Sequence, residues 1–175
     1  LNMAQYKEIK PEELSGNPFR LIGKDWMLVT AKKDNTINTM TASWGGMGVM
    51  WNKNVAVTVL RPQRYTKEFI DTSKRFSLSF YDDSYRKDMT YVGRVSGREE
   101  PGKITKTSFT PAEIDGVPYF EEANMVLICK KLYVQEMNPE GFMEDCKELD
   151  VQNYPNKDYH FMYVAEIEKI LIKEA

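Results

Sequence analysis

Few side chains suited to acid–base or metal chemistry occur in this sequence. It has one histidine and two cysteines, and Cys129 and Cys146 do not form a pair with metal-ligand or redox spacing. A reducing cytoplasm is the expected compartment. With His160 as the sole imidazole there is no cluster to build a metal site around. There is no Gly-x-Ser-x-Gly turn and no second candidate base, so a hydrolytic triad has no support either. No Gly-x-Gly-x-x-Gly element follows a strand, which argues against a dedicated dinucleotide domain. No stretch approaches the ~20 apolar residues of a membrane-crossing helix, and the first residues lack the charged, apolar and small-residue order of a signal peptide. A soluble protein is expected. The net charge of −2 is too small to imply a partner, and nucleic acid would call for a strongly basic face. Internal repeats and low-complexity segments are missing as well.

What is present is enough to fold. The 175 residues, 42% hydrophobic and 12% aromatic, exclude a disordered chain and read as one domain, 1–175, with residues 1–16 as an N-terminal arm. Leu1 and Asn2 precede Met3 and are set aside. Strand patterns are expected at 26–32, 37–43, 55–60, 75–81, 124–136 and 159–172, with Asp34-Asn35 turning the first pair into a hairpin. Phe76, Leu78 and Phe80 alternate with Ser77 and Ser79, the period of a half-buried strand. Gly45, Gly46 and Gly48 suggest a loop passing close to a ligand or to another chain. Short helices are expected at 65–72, from an N-cap at Ser84 to about Val92, and within 139–150. Residues 108–120 are turn-rich, and 93–103 form a polar connector. Strands dominate and turns separate them, so the fold class is mainly β, an antiparallel barrel with a few short helices.

Residues 36–69 carry the strongest candidate chemistry. Thr39, Thr41 and Ser43 alternate on one face of a strand, where they would form either a polar wall or an ordinary wet face, with Met40 and Ala42 turned to the core. Arg61 and Arg64 flank Pro62 at a strand-to-helix turn. They would form either a phosphate clamp, since guanidinium forks match phosphate oxygens and a helix start adds N–H groups, or two solvated surface cations. Ser96, Gly97 and Lys103 offer a weaker second anion contact. A lone histidine such as His160 is an acid, a base, a ring contact or a structural residue. Cys129, inside an apolar strand, reads as a small buried hydrophobe.

Asn38-Thr39-Met40-Thr41-Ala42-Ser43-Trp44, followed by a strand ending in Arg61-Pro62-Gln63-Arg64-Tyr65-Thr66, resembles the flavin reductase-like, FMN-binding split-barrel family, in particular its flavoredoxin-type branch. Ser96-Gly97-Arg98 with Lys103, Pro118 to Ala123, and His160 to Glu166 match that branch in the same order. One departure is Pro101-Gly102-Lys103 where relatives often carry an Asp-Lys pair after the Ser-Gly-Arg, which bears on the role of Lys103. The resemblance implies a split β-barrel that forms a homodimer and holds one FMN per subunit. Residues 38–43 would line the isoalloxazine with backbone groups, Arg61, Arg64, Tyr65 and Thr66 would surround the phosphate, and Ser96, Gly97 and Lys103 would close over the phosphate or ribityl chain. Trp44 and His160 would lie nearer the ring, His160 as a contact on the nicotinamide side.

Two functional classes follow from that resemblance. One is an oxidoreductase taking hydride from NADH or NADPH and passing electrons to free flavin, a ferric complex or a protein acceptor. The other is an electron-transfer flavoprotein loaded by a protein donor. Neither needs catalytic residues beyond the flavin itself.

Overall fold

A computed structural model describes residues 5–174; the two residues ahead of Met3 lie outside that range, as do the other residues of 1–4. Ten strands and four short helices follow in the order β1 (Tyr6–Ile9), α1 (Pro18–Arg20), β2 (Met27–Lys33), β3 (Thr36–Ala42), β4 (Gly45–Met50), β5 (Lys53–Leu60), α2 (Tyr65–Thr72), β6 (Arg75–Phe80), α3 (Arg86–Arg94), β7 (Pro111–Ile114), β8 (Val117–Phe120), β9 (Met125–Glu136), α4 (Lys147–Asn153) and β10 (Phe161–Lys173). The main sheet runs β3-β2-β6-β9-β10-β5-β4, with β1 on β10, and β7–β8 form a separate hairpin. Every pairing is antiparallel. This is the expected mainly β, split-barrel architecture.

The split falls between β3 and β4, the two ends of the sheet path. They are consecutive in the chain and joined only by Ser43 and Trp44, so the seam is bridged covalently at one corner. Both faces of the central strands are covered. In β9, Met125, Leu127 and Cys129 point into the barrel with Val29, Phe76 and Leu78. Val126 and Ile128 point outward, beneath Tyr119 and Phe120 of β8 and with Met89 and Val92 of α3 in the same cluster. Each such side chain stabilises the fold by about 1.5–3 kcal/mol when removed from water. Two-sided cover explains the unbroken apolar run 125–129 and pushes the Cys129 thiol pKa upward.

Several local expectations are corrected by the structure. Ser77 and Ser79, read as the wet face of β6, are fully buried; Ser77 Oγ donates to the Pro118 carbonyl at 2.6 Å and Ser79 Oγ lies 2.9 Å from the Tyr81 hydroxyl. The turn-rich 108–120 contains a hairpin, which turns at Asp115 and Gly116 with φ of 51° and 80°. The Gly45–Gly48 segment is a strand paired with β5 and not a loop. Asp82, not Ser84, caps the turn before α3 by accepting from the Ser84 N–H. Pro62 precedes the start of α2 by three residues, and Arg64 occupies its N-cap. The short helix expected within 139–150 is present as two 3-10 turns, Pro139–Gly141 and Glu144–Cys146, followed by α4 from Lys147. No helix among the described residues is long and apolar enough to cross a membrane.

Candidate functional site

Two clefts open at the split and share Met40 and Arg64 as a common wall. The outer cleft, about 290 Å³, is bounded by Met40, Thr41 and Ala42 of β3, the Ser43–Trp44 link, Val59, Arg61, Gly93 and His160. The inner cleft, about 170 Å³ and more enclosed, is bounded by Asn38, Tyr65, Thr66, Ser96, Gly97 and Lys103, with Gln63, Val92, Arg94 and Val95. Thus residues spread from 38 to 160 meet because the strand order brings β3, the end of β5, the end of α3 and the start of β10 around one seam.

The inner cleft is electropositive for a structural reason. Lys103 is 2% exposed and its Nζ donates to the carbonyls of Val92 and Val95, at 2.8 and 2.7 Å, where α3 ends. Burial, aided by the nearby Arg64 charge, lowers its pKa to about 8. Arg64 donates through Nη1 to the Gly93 carbonyl at 2.8 Å and through Nη2 to that of Thr41 at 3.3 Å, and burial lowers its pKa as well. Among the described residues no carboxylate pairs with either. Arg64 Nε also donates to Met40 Sδ at 3.4 Å; a buried ammonium and a half-buried guanidinium without a carboxylate are costly, and an anion between them would offset that cost. Asn38 Nδ2 donates to Thr66 Oγ1 at 2.7 Å beside them, and α2 starts with no side-chain cap.

Arg61 behaves differently from Arg64. It contacts Asp158 at 3.1 Å, donates to the Asn153 carbonyl at 3.0 Å, and lies 4.9 Å from the Tyr154 ring centroid. Asp158 also accepts from Gln63 at 2.7 Å, which helps hold its carboxyl below the usual range. Arg61 therefore lines the outer cleft as an ion-paired cation, and the two-arginine clamp separates into one available guanidinium and one already paired. His160 is buried with Nδ1 2.7 Å from the Tyr154 hydroxyl, its ring 5.2 Å from that of Trp44. Burial, then Arg61, lowers its pKa to about 4, so it is neutral at neutral pH.

Two expected site residues line neither cleft. Thr39 is fully buried, its Oγ1 2.9 Å from Thr30 Oγ1, because that face of β3 lies against β2 and α3 and not against water. Thr41, on the same face, donates to the Met89 carbonyl of α3 and reaches the outer cleft only at its edge. Pro62 stands outside both clefts. Val59, Gly93, Tyr154 and Asp158 escaped the sequence reading. Tyr154 and Asp158 sit in an aromatic, turn-rich stretch without regular spacing, and only their packing against Arg61 marks them. A signal for Gly93 lies in packing too, since a Cβ there would sit 2.9 Å from Thr41 Cβ.

Comparison with known proteins bears on the family and the fold. The model for the flavin reductase like domain matches residues 19–175, nearly the whole chain. The chain belongs to that family. Among solved structures, an FMN-binding domain of a flavin reductases-like enzyme from Shewanella baltica OS155 superposes with a TM-score of 0.69 at 18% identity, over 96% of this chain and 77% of that one. Flavoredoxin from Methanosarcina acetivorans gives 0.67 at 20% identity, over 86% and 69%. Both likenesses establish the fold. A relative from Aeropyrum pernix is 27% identical over 100 residues, 56% of this chain and 38% of that protein. The family member described here thus aligns with well under half the length of that relative.

Proposed function

We propose that this domain binds FMN across both clefts and acts as an oxidoreductase that accepts hydride from NADH or NADPH. The observation that carries the reading is the buried Lys103 ammonium beside the half-buried Arg64 guanidinium, neither paired with a carboxylate among the described residues, at the more enclosed end of the cleft. These groups suit a phosphate, the Asn38–Thr66 pair suits a hydroxylated chain, and the Met40–Trp44 wall suits a planar ring. When bound, FMN supplies hydride and electron exchange at its ring, and the protein binds and orients it. The small side chains of Ala42 and Ser43 leave the outer cleft open to a second planar ring. Electrons would pass onward to free flavin, a ferric complex or a protein acceptor. Anaerobic mixing of the FMN-loaded protein with NADH or NADPH should bleach the flavin band rapidly. If neither nucleotide does so while dithionite does, a flavoredoxin-like electron carrier replaces the enzyme.

Lys103 gives this reading a pH signature. With a pKa of about 8 against the ordinary 10.5, the unfolded chain holds more protons than the folded one between those values. Stability of the ligand-free protein therefore rises with pH across that window. Phosphate binding has the opposite sign, because the cation it requires is lost above about pH 8. FMN affinity should be level from pH 7 to 8 and then fall by up to about tenfold per pH unit. Lys103→Met should flatten both profiles, and a wild-type affinity level through pH 10 would separate Lys103 from the phosphate.

A homodimer belongs to the same proposal. Val49, Met50 and Trp51 at the β4–β5 turn are 70%, 48% and 54% exposed, and Trp51 lies 6.1 Å from the exposed Tyr133 ring. An apolar patch of this kind is unfavourable in water and fits a second copy of the chain. Light scattering should give twice the chain mass at micromolar protein, with Trp51→Glu shifting the mass toward one chain. A single-chain mass for the wild type would overturn the dimer.

A further inference from the structure

His160 is more than nine-tenths buried, yet only one of its ring nitrogens has a protein partner: Nδ1 meets the Tyr154 hydroxyl at 2.7 Å, and the ring borders the outer cleft. Among the described residues nothing hydrogen-bonds to Nε2. Nε2 is therefore left to the cleft that the ring borders, where a ligand can meet it. Tyr154 is held firmly on its own side. Its ring lies 4.7 Å from that of Tyr159, whose hydroxyl donates to Asp150 at 2.7 Å, and Arg61 sits 4.9 Å from its centroid.

The Tyr154 hydroxyl has one proton and two acceptors within reach, His160 Nδ1 at 2.7 Å and Met137 Sδ at 3.5 Å. A thioether is the weaker acceptor, so the proton goes to the imidazole. Nδ1 then accepts, and Nε2 must carry the ring hydrogen. A second proton on the ring is disfavoured by burial and by the Arg61 and Arg64 guanidiniums; the one nearby carboxylate, Asp158, is already engaged by Arg61 and Gln63. Among the described residues no carboxylate lines the outer cleft, so the fixed groups around its open space select an acceptor atom on the ligand.

We propose that Tyr154 is a positioning residue that locks His160 as a neutral Nε2–H donor aimed at a carbonyl oxygen on a planar ligand in the outer cleft. The carboxamide of nicotinamide is that ligand if the hydride-accepting function above is right; the lock itself does not depend on it. Because His160 is the only histidine in the chain, ¹⁵N-histidine labelling reports this one ring without assignment ambiguity.

At pH 7 the FMN-loaded protein should show a protonated Nε2 and an unprotonated Nδ1, distinguished by their couplings to the two ring carbon-bound protons. Tyr154→Phe should convert this pattern to a tautomer mixture. A wild-type spectrum with Nδ1 protonated, or a Tyr154→Phe spectrum unchanged from wild type, overturns the lock. In turnover, Tyr154→Phe and His160→Leu should raise KM for the reduced nucleotide about 2–10-fold, the range for one neutral hydrogen bond, with a smaller effect on kcat. His160→Gln places an amide N–H near the Nε2 position, so it should recover most of the loss and be insensitive to adding Tyr154→Phe. Equal damage from Gln and Leu would overturn the donor role. Should neither nucleotide reduce the flavin, the hydride-accepting function falls while the imidazole spectrum still decides the lock.

Discussion

Arg64→Ala is expected to weaken FMN binding by about 10–100-fold, corresponding to roughly 1.5–3 kcal/mol for hydrogen bonds to a charged group, while riboflavin binding changes little. Arg64 is anchored through the carbonyls of Gly93 and Thr41, which fixes the plane of the guanidinium and leaves further N–H groups directed away from them. Arg64→Lys keeps the charge but loses the fork, and should fall between wild type and alanine. Arg61→Ala should behave differently. It leaves Asp158 without its cation and removes the contact with Tyr154, so it should lower thermal stability and affect FMN and riboflavin alike. Fluorescence titration of the flavin-free protein with both ligands measures each arm. Equal losses for the two ligands in Arg64→Ala would mean that Arg64 holds the fold and not a phosphate.

The largest stability effect is expected at Gly45. Its φ is 145°, and a Cβ would lie 2.3 Å from the Val57 carbonyl oxygen, an atom fixed in the β4–β5 ladder. Alanine there is strained in the backbone and collides with a neighbour that cannot turn away. A loss of about 3–5 kcal/mol is expected, near the upper end for single substitutions, or roughly 6–20 °C in melting temperature. Gly97→Ala provides the contrast. Its Cβ would lie 2.1 Å from Asn38 Oδ1, the end of a side chain able to rotate at the expense of the Asn38–Thr66 hydrogen bond. It should cost less stability and more FMN affinity. Calorimetry with and without FMN separates the two, and a melting temperature for Gly45→Ala within a degree or two of wild type would contradict the geometry.

The contrast between Arg61 and Arg64 shows how far sequence reading extends. Three residues apart, they carry the same local signal. Asp158, nearly a hundred residues further on, pairs with one and leaves the other to the cleft. Lys103 gave an even weaker signal inside a polar connector. Its importance arises because the chain after α3 folds back and sets the ammonium on the carbonyls of Val92 and Val95. Tyr154 gave none, since a tyrosine in a turn-rich stretch acquires a role only through the ring opposite it.

Strand periodicity, the Asp34-Asn35 turn, the 65–72 helix and the site segment around residues 38–44 were legible because each depends on neighbours within a few positions. The order of those segments carried the family likeness, and with it the barrel. Cover was not legible: Ser77, Ser79 and Thr39 have the pattern of a wet face and are dry because a hairpin or a helix from elsewhere in the chain lies over them. Gly45–Gly48 reads as a loop by composition, and pairing with β5 makes it a strand. The sequence by itself determined six of the strands, β2, β3, β5, β6, β9 and β10, and most of the residues that approach the seam. Only the tertiary structure decided which faces lose water and which charges find partners, because burial and pairing are set by contacts between segments far apart in the chain.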